Sequence, residues 1–347
     1  TINSINIGKG ANSVAGNTVL GESALDASVS GGENTAIGFQ ALTANTSGSG
    51  NTAVGRNSLV STTTGANNTG IGRGALSTNS TASNNTGIGY NSLNSNTTGA
   101  QNTAVGSQAL DANTTASYNT AIGDTSLTTN TTGTQNTGLG AFSLRFTSTG
   151  SQNTGIGYQA LQANTTASNN TAVGYNTLQA NTTGTQNVAV GALSLDANTT
   201  ATGNSALGYA SLGANTTGLN HTAVGNHSLN ANTTGNNNTA LGQNSLLVNT
   251  TGSQNTAIGA LALDANTAGN NNSSLGYGSL SSNTTGEQNV AVGRGSLEQN
   301  TTASNNTAVG YNSLAVNTTG TRNVALGAEA LSANTTADFN NAVGYLA

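Results

Sequence analysis

The chain has 347 residues, only 5% of them charged and 3% aromatic, with 47 glycines and a formal net charge of −5 that includes just six basic side chains. That balance excludes a nucleic-acid binder, which needs clustered Lys and Arg against phosphates, and a polybasic membrane anchor; no apolar run approaches the ~20 residues of a membrane-spanning helix. Cysteine is absent, so disulfides and thiolate metal sites are excluded and the redox compartment stays open.

In chain order, residues 1–16 read as a shorter, irregular first coil, because Gly8 and Gly21 are thirteen residues apart. From residue 17 to 347 one spacing governs everything. Gly21, Gly38, Gly55 and every seventeenth residue through Gly344 are glycine, and Leu25, Leu42 and their successors through Leu331 keep the same beat. Polar, weakly charged tracts are often disordered, but disorder gives no reason to hold Leu at one phase. Strict self-similarity at a short period predicts a quasi-one-dimensional stack. The expected fold is all-β: a continuous parallel β-solenoid of about twenty 17-residue coils. With no initiating Met and a stop in mid-repeat, the chain reads as part of a longer array.

Asn102–Tyr118 serves as one unit. Helix is opposed by the density of Gly, Asn and Thr. Asn102–Val105 reads as an extended strand that ends at Gly106, where a bend is permitted. Ala109–Leu110 reads as a second short strand, and Asn113–Thr115 as a third edge and turn. Alternation along the strand is expected to point Val105 and its Ile, Val and Leu equivalents inward, together with Leu110. Ala104 and Ala109 stand in columns that are nearly always Ala, Gly or Ser, with Val19 and Thr177 as the exceptions, which implies close approach of backbone or of another chain. Asn holds the first column in nineteen of twenty coils, with His221 as the one substitute. Stacked at ~4.8 Å, such amides form ladders. Two large apolar side chains per coil make a thin core, so oligomerisation through the small-residue columns is expected.

Asn34-Thr35-Ala36-Ile37-Gly38 and Asn51-Thr52-Ala53-Val54-Gly55 resemble the head repeats of trimeric autotransporter adhesins, which carry an N-S-V-A-I-G-like motif. The resemblance implies a left-handed β-roll, a homotrimer, and a place outside the cell or on its surface. The family repeat is usually fourteen residues; the extra ones here fall in the turn at Asn96-Thr97-Thr98-Gly99. The array is also similar to segments of phage tail fibres, and the two homes stay open.

Chemistry is not written into the chain. His221 and His227 lie at different phases and read as a ladder and a surface position. Asp26, Asp111, Asp196 and Asp264 share one phase but are coils apart, so they cannot pair as acid and base. Neither catalysis nor a cofactor or metal is expected. Tyr90, Tyr158, Tyr175, Tyr209, Tyr277 and Tyr311 all follow the repeating Gly, where Phe39, Arg56, Arg73 and Arg294 also occur. This phase is the candidate contact surface, repeated for avidity towards glycan, matrix or a host surface. N-T-T, as at Asn164 and Asn181, is a glycosylation sequon only in a cell that glycosylates exported proteins, and turn chemistry elsewhere. The expected function is a non-enzymatic extracellular fibre or adhesin segment, partnered with copies of itself. The alternatives are a tail-fibre shaft and, as a minor one, an ice-binding solenoid.

Overall fold

A computed structural model describes residues 6–27 and 29–347, which fall into two compact units, one through Asn170 and one from Thr171 to Ala347. Both are parallel β-solenoids with one strand per coil. In the first, β2 (Thr18–Gly21), β3 (Thr35–Ile37) and their successors to β10 (Thr154–Ile156) pair in parallel. In the second, β11 (Thr171–Val173) through β21 (Asn341–Val343) do the same. Within each unit the register does not slip: Thr103 lies against Thr120, Ala104 against Ala121 and Val105 against Ile122, seventeen residues on.

The irregular opening differs from the coils after it. β1 (Asn6–Gly8) runs antiparallel to β2, with Ile7 opposite Leu20, and a 3-10 turn at Ala11–Ser13 lies between them. Thirteen residues are too few to travel round a seventeen-residue coil and return parallel, so the chain doubles back. β1 thereby covers the edge of β2 that β3 leaves open. Residues 1–5 of the expected first coil lie outside the described residues.

Two expectations about the coil are corrected. Ala109–Leu110 is not a strand but part of a tight turn in which Leu110 has φ +51°. The left-handed region costs an L-residue ~1–2 kcal/mol, and full burial of a Leu side chain, worth ~1.5–3 kcal/mol, offsets it. Val105 and its equivalents point outward, not inward. Alternation puts Asn102 and Ala104 on one side of the strand and Thr103 and Val105 on the other; it is Asn102 and Ala104 that are buried. The interior is narrow. Leu110, Ala104, Ala109 and two Asn side chains fill it, which leaves no room for a branched residue at position 105. Ala104 therefore packs inside its own chain.

The buried amides complete the interior. Asn102 accepts the Asn119 N–H at Oδ1 (2.9 Å) and donates from Nδ2 to the Ala116 carbonyl (2.8 Å). Asn113 donates to Asn96 Oδ1 in the preceding coil (2.7 Å) and to the Ala116 carbonyl (3.1 Å). The second unit repeats both patterns at Asn238–Asn255 and Asn249–Asn266. Main-chain ladders continue outside the strands, as where Leu110 N–H donates to Ser126 O at 3.0 Å. Such bonds satisfy buried groups that would otherwise each cost ~1–3 kcal/mol.

At Gly106 the strand ends with φ +139°, and a Cβ there would lie 2.4 Å from the Gly123 carbonyl oxygen of the next coil. Only glycine lets successive coils approach at strand spacing at this bend. That is the physical content of the seventeen-residue glycine beat.

Candidate functional surfaces

Two surfaces leave each coil. The first is the outward face of the strand. In the first unit every strand from Thr18 to Thr154 opens with Thr, and the third position is Ile, Val or Leu throughout. In-register pairing lines each type into a row along the sheet. The second unit keeps the aliphatic row, and Thr in the first row alternates with Ser and Val at positions such as Val188, Ser205 and Thr222. The aliphatic row is partly exposed, most at its Leu members, Leu139 42%, Leu207 50% and Leu275 47%, and less at Val105, Val173 and Ile258. β-branched and Leu side chains in a continuous exposed row form the kind of apolar strip that marks an interaction surface.

The second surface is the variable phase after the repeating Gly. Tyr90, Tyr158, Tyr175, Tyr209, Tyr277 and Tyr311 are all exposed, as the phase predicts. They do not gather in one cluster. Tyr90 and Tyr158 stand four coils apart in the first unit; in the second, Tyr277 and Tyr311 stand two coils apart and Tyr209 lies four coils before Tyr277. Their neighbours one coil away are what give the surface chemistry. Arg73 lies over Tyr90 at 5.7 Å, Arg56 over Phe39 at 5.7 Å and Arg294 over Tyr277 at 5.9 Å. His227 meets Tyr209 edge-on at 5.3 Å, and Phe142 meets Tyr158 likewise at 5.6 Å. These Arg–aromatic stacks were not read from the sequence. The signal was there, because Arg56 and Phe39, Arg73 and Tyr90, and Arg294 and Tyr277 are each seventeen residues apart.

Two more Arg contacts use different columns. Arg322 lies over Phe339 at 5.3 Å, again one coil away. Arg145 packs on both Phe142 and Phe146 at 5.2 and 5.1 Å. Exposed cation–π contacts are worth ~0.5–1 kcal/mol each, so their main effect is to hold otherwise mobile guanidinium groups in place.

The titratable residues occupy separate places. Burial raises the carboxyls of Asp111, Asp196 and Asp264 above the usual carboxylate range. They are coils apart, and among the described residues no group of three or more His, Cys, Asp or Glu comes together at metal-binding distance. His221 is buried in the Asn ladder. It takes the place of the amide: its main-chain N–H donates to Asn204 Oδ1 at 3.0 Å and its Nδ1 accepts the Asn238 N–H at 3.2 Å. Burial depresses its imidazole to about 4. Among the described residues no helix is long and apolar enough to cross a membrane. No protein-family model matches the chain, and no curated protein sequence matches it.

Proposed function

We propose that this chain is a non-enzymatic structural segment of an extracellular or cell-surface fibre, an adhesin stalk that assembles with copies of itself as a homotrimer. The observation that carries the reading is the partly exposed aliphatic row on the outward strand face, repeated once per coil. Three such rows meeting about one axis would remove them from water and thicken a core that holds one large apolar side chain per coil. Burying them stabilises an assembly at ~25 cal/mol per Å² of apolar surface. The resemblance of N-T-A-[VI]-G to the head repeats of trimeric autotransporter adhesins supports the same arrangement, and a virion tail-fibre shaft would use it equally. The Tyr phase lies on a different column and stays available for weak contacts that add by avidity towards glycan, matrix or host surface. Light scattering of the chain at micromolar concentration tests the assembly. A mass three times that of one chain is expected; a stable monomer would overturn the trimer.

A second reading draws on the same face. The unbroken Thr row beside the aliphatic row in the first unit is a regular array of hydroxyl and methyl groups, the chemistry an ice-binding surface needs. A thermal-hysteresis measurement tests it, and no hysteresis at millimolar chain removes it.

A further inference from the structure

At Gly278 and Gly295 the variable phase of the second unit gives way to a cleft. The second residue after the repeating Gly carries a side chain in most coils, as at Asn244 and Asn312. Gly278 and Gly295 omit it in two successive coils, which happens nowhere else in the sequence. A Cβ on Gly278 would have no heavy atom within 4 Å. The result is a cleft of about 180 Å³ bordered by Tyr277, Arg294, Glu298, Tyr311 and Asn312. That is about six times the ~30 Å³ a water molecule takes in the liquid, enough to seat one sugar ring.

Its lining is chemically mixed in a particular way. Tyr277 and Tyr311 are 54% and 47% exposed and stand two coils apart, ~10 Å along the stack. Each offers an apolar ring face with a hydroxyl at its tip. The axial C–H groups of a pyranose make a matching apolar face. Arg294 stands beside Tyr277, with its guanidinium carbon 5.9 Å from the ring centroid. Its N–H fork is the group at this cleft that can meet a carboxylate in bidentate fashion. Across the cleft, a Cβ on Gly295 would lie 3.3 Å from Glu298 Oε2 and 2.5 Å from Asn312 Oδ1. Both oxygens accept hydrogen bonds, so both suit sugar hydroxyls. A neutral hexose would leave the Arg294 fork without a partner, and a simple organic acid would leave the Tyr platforms and the two acceptors unused.

We infer that this cleft binds a pyranose that carries a carboxylate, one unit of an acidic surface polysaccharide. The inference rests on reading the chain as a surface-contacting fibre, and it names the class of ligand for one stretch of it. A single ring bound through one salt bridge and one stacking contact is held weakly. Several copies per assembly raise the effective affinity by avidity.

The test is a titration of the whole chain with methyl glucuronide, followed by the Tyr ring signals in NMR, with methyl glucoside as the neutral comparison. Saturable shifts with the glucuronide are expected, with the glucoside at least ~10-fold weaker. Gly278→Asn restores the side chain the repeat usually has. Asn244 and Asn312 already hold that backbone conformation at φ +56° and +50°, so the variant folds and should lose binding at least ~10-fold. Gly74→Asn, in the first unit, should bind unchanged. Arg294→Gln should erase the preference for glucuronide over glucoside. Absence of saturable binding, or Gly278→Asn binding as tightly as the parent, would overturn the inference. Light scattering of the same samples separates the outcomes: an intact assembly that ignores the glucuronide sinks only the sugar site, whereas a monomer sinks the trimeric reading beneath it.

Discussion

Asn130 marks the one lapse of the second amide ladder in its neighbourhood. Its Oδ1 is buried without a hydrogen-bond partner, because the next coil has Thr147 where the neighbouring coils of the column have Asn. Thr147 accepts Asn164 Nδ2 at 3.3 Å through its hydroxyl but is too short to reach back. Thr147→Asn should supply the missing donor and raise stability by about 1–2 kcal/mol, read as a higher midpoint in thermal unfolding. His221 is the opposite exception, an imidazole accommodated by the ladder. Burial within the ladder, where Nδ1 accepts from Asn238 N–H, disfavours the charged imidazolium. The folded-state value is depressed from 6.5 to about 4. Its contribution to stability is therefore present above pH ~6.5 and is lost as pH falls towards 4, on the order of 3 kcal/mol in all. His221→Asn should abolish that part of the acid sensitivity, and unfolding midpoints at pH 7 and pH 4.5 compare the two chains. The first ladder was legible from its Asn column, whereas the second column read as a turn and its ladder came from the structure. The consequence of each exception was not legible, since it depends on which group of the neighbouring coil a shorter or aromatic side chain reaches.

Each coil is a single short strand followed by turns, and the element stands or falls on close stacking. Gly106→Ala should be severely destabilising for its size, on the order of 3 kcal/mol. The added methyl meets the Gly123 carbonyl at 2.4 Å and the backbone sits at φ +139°. Hydrogen exchange should lose protection in the coils on either side while distant coils keep theirs, because each repeat contacts only its neighbours. Unchanged protection would mean the coils can separate at little cost. The strand at Thr103–Val105 and the break at Gly106 were readable from composition and period. The second strand expected at Ala109–Leu110 was not realised. Leu is a poor turn residue by local propensity, and it takes the left-handed conformation only because that turns its side chain into the one space large enough to hold it.

For the whole molecule the outward aliphatic row is the decisive feature. Leu207→Glu, Leu241→Glu and Leu275→Glu together place three charges on the strand face without entering the coil, since all three side chains are about half exposed. The triple variant should stay folded by circular dichroism and become monomeric by light scattering. A triple variant that keeps the parent mass would remove this face from the assembly. Ala104→Glu is a poor probe of the same question, because that side chain is fully buried within its own chain and the substitution would unfold it.

By itself the sequence determined the seventeen-residue coil, the parallel in-register stacking, the first Asn ladder, the buried Leu and the exposed Tyr phase. All of these follow from identical residues recurring at one interval, where neighbouring coils can satisfy each other only in register. Tertiary structure alone decided which side of the strand faces in. A period of two says that Ala104 and Val105 part company but not which is inside. The answer came from the width of the coil: with Leu110 and two Asn amides already within it, the inward strand position takes a small residue in nearly every coil. The same holds for the cleft at Gly278 and Gly295, which exists because two missing side chains in adjacent coils fall beside Arg294, Glu298 and two tyrosines that the chain itself holds up to thirty-four residues apart.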